Sequence, residues 1–476
     1  MATLKMPASL SSLRIPDVLR NPFRPAYMAI LGILLMACFL GLVTPLYVAV
    51  MDGAPSKLMA LPAAMVFGLL LLYDRKLTML VILLLRAGTE RTLMQTSFSL
   101  GGIPLGVGGL LNGCVILVAL LLVIEYPKDL PRKSYMAWVP FISMLLLGVT
   151  MSPSRGDAVR LALTACSYAS VFVAGHYFVQ NKGDFRRCVR IVLWSSAIPV
   201  LYGVYDSAWR FAAFGSEMRL YSTFGHPNIL AFYLTVIISL AFYMFKTLPP
   251  ETKGRTRLFL GCYIIGLLGM LVLTKTRSAW IATALSFVVY ALLFERRYLV
   301  YMAGLGLVGL LVPGVLDRLT DLGQGNEVGT YANLNSFSWR VYLWQTGLQW
   351  MSPSSYVFGN GLQSFREYSP IFFPFADHIN WNAHSAYVQI IFELGAVGTL
   401  AWAWLYGRVL SSLSPLFRYD RMAAYSLCVV VVNFLICAIS DNMLDYLAYN
   451  WYLWFIVGAG CGLAARVNAG TAGAPR

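Results

Sequence analysis

A histidine, a serine and a glutamate stand in one short run, Asn382-Ala383-His384-Ser385-Ala386-Tyr387, which continues to Glu393, Gly395 and Gly398. A long polar stretch gives way to an apolar one at this run. The chain holds four histidines, and an imidazole at a helix start, just under a wet surface, is placed to accept a proton. A helix N-terminus disfavours imidazolium, so His384 is expected to be neutral and basic near neutral pH. Its bland alternative is a capping role. His378 lies six residues earlier in the polar stretch and is a candidate assistant. His226 precedes Pro227 and Asn228 at another helix start, where it is a candidate for positioning a ligand. His176 falls inside an apolar run and reads as packing.

These residues need elements to hold them. The chain has 476 residues, of which 58% are hydrophobic and 12% charged. That balance belongs to a polytopic membrane protein, all-α in class. Apolar runs predict about twelve to fourteen transmembrane helices. The first, 26–50, is too long for a signal-peptide core and is expected to stay in the membrane. The expected layout is a cytoplasmic tail (1–25), a main body of helices (26–314), a large extracytoplasmic loop (315–383), C-terminal helices (384–465) and a second tail (466–476). Span 77–90 is the weakest, being short and carrying Arg86.

The net charge of +15 invites a nucleic-acid reading, but its distribution points to topology instead. Most Lys and Arg fall in alternate segments between spans, including 1–25, 182–190, 246–257 and 466–476. By the positive-inside rule both termini are cytoplasmic and the partner of this surface is the lipid bilayer, not nucleic acid. Eight cysteines are scattered without metal-ligand spacing and read as small core residues.

A minority of cations lie on the opposite face. Arg210 and Arg219 fall at 209–225, Lys275 and Arg277 in the turn Thr274-Lys275-Thr276-Arg277-Ser278, and Arg340 and Arg366 in the loop. Arginines near helix ends often snorkel to headgroups or pair with loop carboxylates. Cations on this face do not set topology, however, and an anionic ligand such as a phosphate or pyrophosphate explains them better. Arg277 sits in a turn too short to leave it free in solution, whereas Arg366 reads as structural. The chain has no Asp-x-Asp pair, Walker loop, dinucleotide fingerprint or Gly-x-Ser-x-Gly elbow, so no metal or cofactor is expected. Few acids lie within the spans, which argues against a proton-coupled transporter.

His384 with Glu393-Leu394-Gly395 and Gly398, after a long loop, resembles the signature of the O-antigen ligase and polymerase superfamily. So do the run Arg219 to Ala231 with its His226-Pro227-Asn228, the Thr276-Arg277-Ser278 turn, and Trp339-Arg340 followed by Phe358-Gly359-Asn360-Gly361. The resemblance covers about residues 190–410. The family usually has Asn after the histidine, where this chain has Ser385.

The resemblance implies a GT-C-like membrane glycosyltransferase of the bacterial inner membrane, with its site facing the periplasm. The implied donor is a glycan on undecaprenyl pyrophosphate. Arg219, Arg277 and Arg340 would bind the pyrophosphate, and His384 would deprotonate the acceptor hydroxyl in a metal-independent, inverting transfer. His226, Asn228, His378, Ser385 and Glu393 would position donor or acceptor, and the aromatic loop would stack on sugars. The acceptor would be another lipid-linked glycan in a polymerase, which is slightly favoured, or lipid A-core in a ligase. A chain-length regulator is a possible partner of a polymerase. A reading of another class is a lipid-linked glycan flippase, which would not need His384.

Overall fold

The computed structural model describes residues 60–470 apart from 96–97, 101–102, 106, 216–217, 313–314 and 321–335. The expected tail 1–25, the first span and the last residues of the second tail lie outside the described residues. Among the described residues, 80–91 with those of 115–470 form one contact unit, which holds every side chain of the candidate site, and those of 60–79 with 92–114 form another.

The described chain is helical apart from one short antiparallel ladder, Phe98–Leu100 with Ile103–Leu105. The helices of nine residues or more are α1 (Ala60–Tyr73), α2 (Arg75–Arg86), α3 (Val107–Glu125), α4 (Val139–Thr150), α5 (Arg155–Phe178), α6 (Lys182–Ser195), α7 (Ala197–Phe214) and α8 (Pro227–Lys246). There follow α9 (Gly254–Leu273), α10 (Arg277–Leu293), α11 (Arg297–Leu310), α12 (Ser336–Trp350), α13 (Ser364–Phe372), α14 (Ala386–Ser412), α15 (Arg421–Cys437) and α16 (Leu447–Asn468). Eight helical stretches among the described residues are long and apolar enough to cross a membrane, and α10, α11 and α15 are shorter apolar helices. The protein is a multi-pass membrane protein.

The apolar run 77–90 forms only the 12-residue α2, shorter than the roughly 20 residues a crossing needs. Its Arg86 is buried in an ion pair with Glu90 and lies 5.6 Å from the ring centre of Trp451. A buried arginine is tolerable there because a carboxylate and an aromatic face share its charge.

Helices α8 and α16 are the most enclosed. Lipid tails are as apolar as leucine, so close van der Waals fit holds such helices together. A Cβ on Gly175 of α5 would lie 2.3 Å from the Phe455 carbonyl, and one on Gly458 of α16 would lie 2.0 Å from the Phe172 carbonyl. Only glycine permits that approach.

The large loop is not an irregular strap. The helical spacing of Trp339, Tyr342, Leu343 and Trp350 predicts a helix, and α12 forms there. The loop has its own core of Leu343, Phe365, Phe372 and Phe373, joined by Ala383, Val388 and Phe392 at the start of α14. Burying a Phe or Leu from water stabilises by about 1.5–3 kcal/mol, so this cluster holds the loop on α14. Most loop aromatics fill this core. The expected stacking surface for sugars shrinks to rings at its margin such as Trp339 and Trp381, both half-buried.

The root of the loop crosses α14 where that helix is broken. Gly395 has φ +64 and ψ −166, which disrupts the helical hydrogen bonds. Asn360 N–H donates to the Phe392 carbonyl at 2.9 Å and Gly361 N–H to the Glu393 carbonyl at 3.0 Å. A Cβ at Gly359 would lie 2.2 Å from the Glu393 carbonyl, and one at Gly395 would lie 2.4 Å from the Val357 carbonyl. The loop then ties to α4 through Leu362 N–H to the Gly148 carbonyl, 3.0 Å, and Ser152 Oγ to the Leu362 carbonyl, 2.7 Å.

Candidate active site

Four connections meet at one end of the helix set: the start of α8, the α9–α10 turn, the start of α14 and the α15–α16 connection. Hydrogen bonds join the first two and the last. Arg219 Nε donates to the Thr274 carbonyl at 2.9 Å. Its Nη2 donates to Asn228 Oδ1 at 2.8 Å and to Thr276 Oγ1 at 3.4 Å. Thr276 Oγ1 donates to the same Asn228 oxygen at 3.2 Å. Asn228 Nδ2 donates to Asp441 Oδ2 at 2.7 Å, and Tyr446 Oη donates to Asp441 Oδ1 at 2.6 Å. These bonds fix the plane of the Arg219 guanidinium and brace the turn that carries Arg277.

Arg277 is half-buried at the first position of α10, with Thr276 as N-cap. Lys275, buried in the same turn, has φ +53, as does Ser222 on the neighbouring stretch, and His384 has φ +48. Left-handed backbone at non-glycine residues is costly and collects at functional turns.

His384 precedes the N-cap Ser385 of α14. Its ring lies 6.1 Å from Trp339 and 6.3 Å from Trp381, centre to centre. Burial holds its pKa below the ordinary histidine value. The Asp441 charge opposes that shift, and Arg340 and His226 add to it. Burial thus works in the same direction as the helix N-terminus, and both favour the neutral ring. Arg340, half-buried on α12, and Asp441 therefore both act on this imidazole.

The backbone around His384 is pinned on both sides. Ala383 N–H donates to Gln389 Oε1 at 3.1 Å, and Trp344 Nε1 donates to the Ala383 carbonyl at 2.5 Å. Ala386 N–H donates to the Ala438 carbonyl at 2.9 Å. Gln389 also bonds Glu393 through its amide nitrogen, and the Glu393 carboxylate faces the backbone N–H groups of Gln363 and Phe365. Glu393 is thus a bracket between α14 and the loop root. Ser385 turns its hydroxyl toward the Ala438 carbonyl, 3.5 Å away.

His226 caps α8: its Nδ1 accepts from Asn228 N–H at 3.1 Å. Burial and the Arg219 charge lower its pKa. His378 is exposed at a left-handed turn and takes no part in this network. Arg210 belongs to α7, not to a loop. It pairs with Asp206 at 2.9 Å and lies 4.1 Å from the Tyr221 ring centre. Among the described residues, no group of three His, Cys, Asp or Glu is placed to hold a metal ion.

Asp441 escaped the sequence reading. Its signal was an acid in the short Ser440-Asp441-Asn442 break between two apolar runs, with no base nearby in sequence. Its neighbour Asn442 donates to Asp445 Oδ2 at 2.8 Å, and Asn382 approaches the same oxygen at 3.5 Å.

Residues 262–403 match the family model described as O-antigen ligase. The chain is also similar to the exopolysaccharide production protein ExoQ of Rhizobium meliloti (strain 1021), with 22% identity over 302 residues, covering 59% of this chain. The match spans 66% of that relative's length. The O-antigen ligase match contains Arg277, Arg340, His384 and Glu393, whereas Arg219, Asn228 and Asp441 lie outside it. The fold brings the two sets together.

Proposed function

We propose that this protein is a glycosyltransferase that transfers a glycan from an undecaprenyl-pyrophosphate donor to a sugar hydroxyl, at the periplasmic face of a bacterial inner membrane. The observation that carries this reading is the convergence of His384, Asp441, Arg340 and the Arg219-braced turn of Arg277 at one helix end. A neutral imidazole beside a set of cations suits attack by a hydroxyl on a sugar that leaves an anion behind.

In this mechanism His384 takes the proton of the acceptor hydroxyl. The acceptor oxygen bonds to the anomeric carbon while the bond from that carbon to the pyrophosphate oxygen breaks, so the configuration inverts. The electron pair leaves with the pyrophosphate, whose charge is met by Arg277 and Arg340, with Arg219 holding the turn and adding its own charge. The new imidazolium faces Asp441 until it returns its proton to water.

Similarity to an exopolysaccharide production protein favours a second lipid-linked glycan as acceptor, which is polymerisation. The O-antigen ligase match favours a lipid A-core acceptor. The chemistry is common to both. The test is purified protein with a lipid-linked glycan donor and either acceptor: His384→Ala should stop product formation and let donor persist. Undiminished transfer by that variant would remove His384 as the base, and absence of transfer by the wild-type chain would end the enzymatic reading in favour of transport.

A further inference from the structure

A second feature lies below the candidate site, on the same helices. Helices α10 and α15 enclose an apolar cavity of about 460 Å³, within the roughly 300–1,000 Å³ usual for ligand sites. Leu285, Val289 and Phe294 line one wall, and Tyr425, Val429 and Val432 the other. Leu285 and Val432 are 44% and 40% exposed, so the cavity opens sideways as a groove. The polar side chains in its walls are turned on one another. Ser286 Oγ donates to Asn433 Oδ1 at 2.8 Å, and Tyr425 Oη donates to the Ser286 carbonyl at 2.5 Å. What remains for a ligand is hydrocarbon surface.

Both walls lead to the candidate site. On α10 the lining begins at Ala282, about one and a half turns past Arg277. On α15 it ends at Ile436, shortly before Asp441. From Arg421 to Ile436 the groove runs about 22 Å at 1.5 Å per residue, most of a roughly 30 Å hydrocarbon core.

We infer that this groove holds the polyprenyl tail of the pyrophosphate-linked donor, with the head at Arg277. The inference rests on the proposed function and adds to it the path of the lipid. Charge decides the direction. At the other end Arg421 lines the groove, and Lys246 and Arg297 beside Phe294 are paired with Glu295. By contrast, Arg219, Lys275, Arg277 and Arg340 do not line the groove but gather just beyond its Ala282 and Ile436 end. The N-terminus of α10 also favours an anion there. A membrane phospholipid held by Arg421 would lie the other way round.

The test uses the full chain in nanodiscs and undecaprenyl pyrophosphate carrying a photoreactive group near the end of its tail. Cross-links are expected on α10 and α15, to be lost in Leu285→Trp and Val432→Trp, which fill the groove, and kept in Leu285→Ala, which leaves it open. Cross-links confined to other helices, or unchanged by both tryptophans, would overturn the inference. In turnover, the tryptophan variants should raise the ratio of KM for an undecaprenyl-linked donor to KM for a farnesyl-linked one by about tenfold, equivalent to losing about two buried methylene groups. An unchanged ratio counts against the groove. If the wild-type chain turns over neither donor, the proposed function fails, and the cross-links still judge the groove.

Discussion

Two histidines stand at two helix starts in this molecule, and they are built differently. His226 is the N-cap of α8, and its Nδ1 accepts the Asn228 N–H. A neutral ring with that nitrogen engaged carries its proton on Nε2. Such a ring donates well and is a poor base. His384 stands one residue before the N-cap of α14, in a left-handed conformation. Its ring lies by two tryptophans under the influence of Asp441 and Arg340. A histidine at a helix start is therefore two different things, and the position relative to the cap separates them.

The largest expected effect breaks the pair apart. His384→Ala should lower kcat by about 10²- to 10⁴-fold, the usual contribution of a general base, measured as glycan transfer by the purified protein. A similar loss from His226→Asn, which keeps a good cap, would erase the distinction. Arg277→Lys keeps the charge and loses the planar fork, so we expect transfer to fall by about 10²-fold. Near-normal transfer by that variant would remove Arg277 from the anion site.

Gln389→Leu tests whether the pinned backbone is what distinguishes His384. It releases Ala383 N–H and the bracket to Glu393 while keeping the side-chain bulk. A drop in kcat of between about 10- and 100-fold is expected, because small misplacements of a reacting group are costly, with donor KM little changed. A loss that vanishes once rates are normalised to the folded fraction would point to general unfolding instead.

The acid limb of kcat/KM offers a finer test. The His384 pKa is lowered, so the basic form persists below the ordinary histidine value of about 6.5, and activity should fall only as pH drops through that lower value. Arg340 depresses the pKa and Asp441 raises it. The limb should therefore move to higher pH in Arg340→Ala and to lower pH in Asp441→Asn. Shifts of the opposite sign would mean that another group titrates. The smallest effect belongs to His226→Asn itself: less than about threefold in rate, since Asn caps as well as any residue.

Much of this was legible in the chain alone, for definite reasons. Long apolar runs read as membrane helices because an unsatisfied backbone is intolerable in lipid. The Thr274–Ser278 turn announced itself because its cations lie on the face opposite the positive-inside excess, in a turn too short to leave them free in solution. Asp441 did not, because its bond to Asn228 spans 213 positions and nothing local marks it. Arg210 was misread as a loop cation because α7 runs on past the apolar stretch as far as Phe214. The loop aromatics looked like sugar platforms, since composition does not tell a ring that faces a ligand from one that faces Phe365.

The crossing at Gly359 and Gly395 has a consequence for how such proteins diverge and how they can be recombined. A surface loop that hangs from two ends can be exchanged between relatives as a cassette. This one cannot, because its root is hydrogen-bonded against the break in a membrane helix, where Gly359 and Gly395 leave no room for a side chain. A graft that carried residues 336–383 onto another scaffold would succeed only where the host helix was already broken at the matching depth. The placement of the loop is thus inherited with the helix as much as with the loop's own sequence.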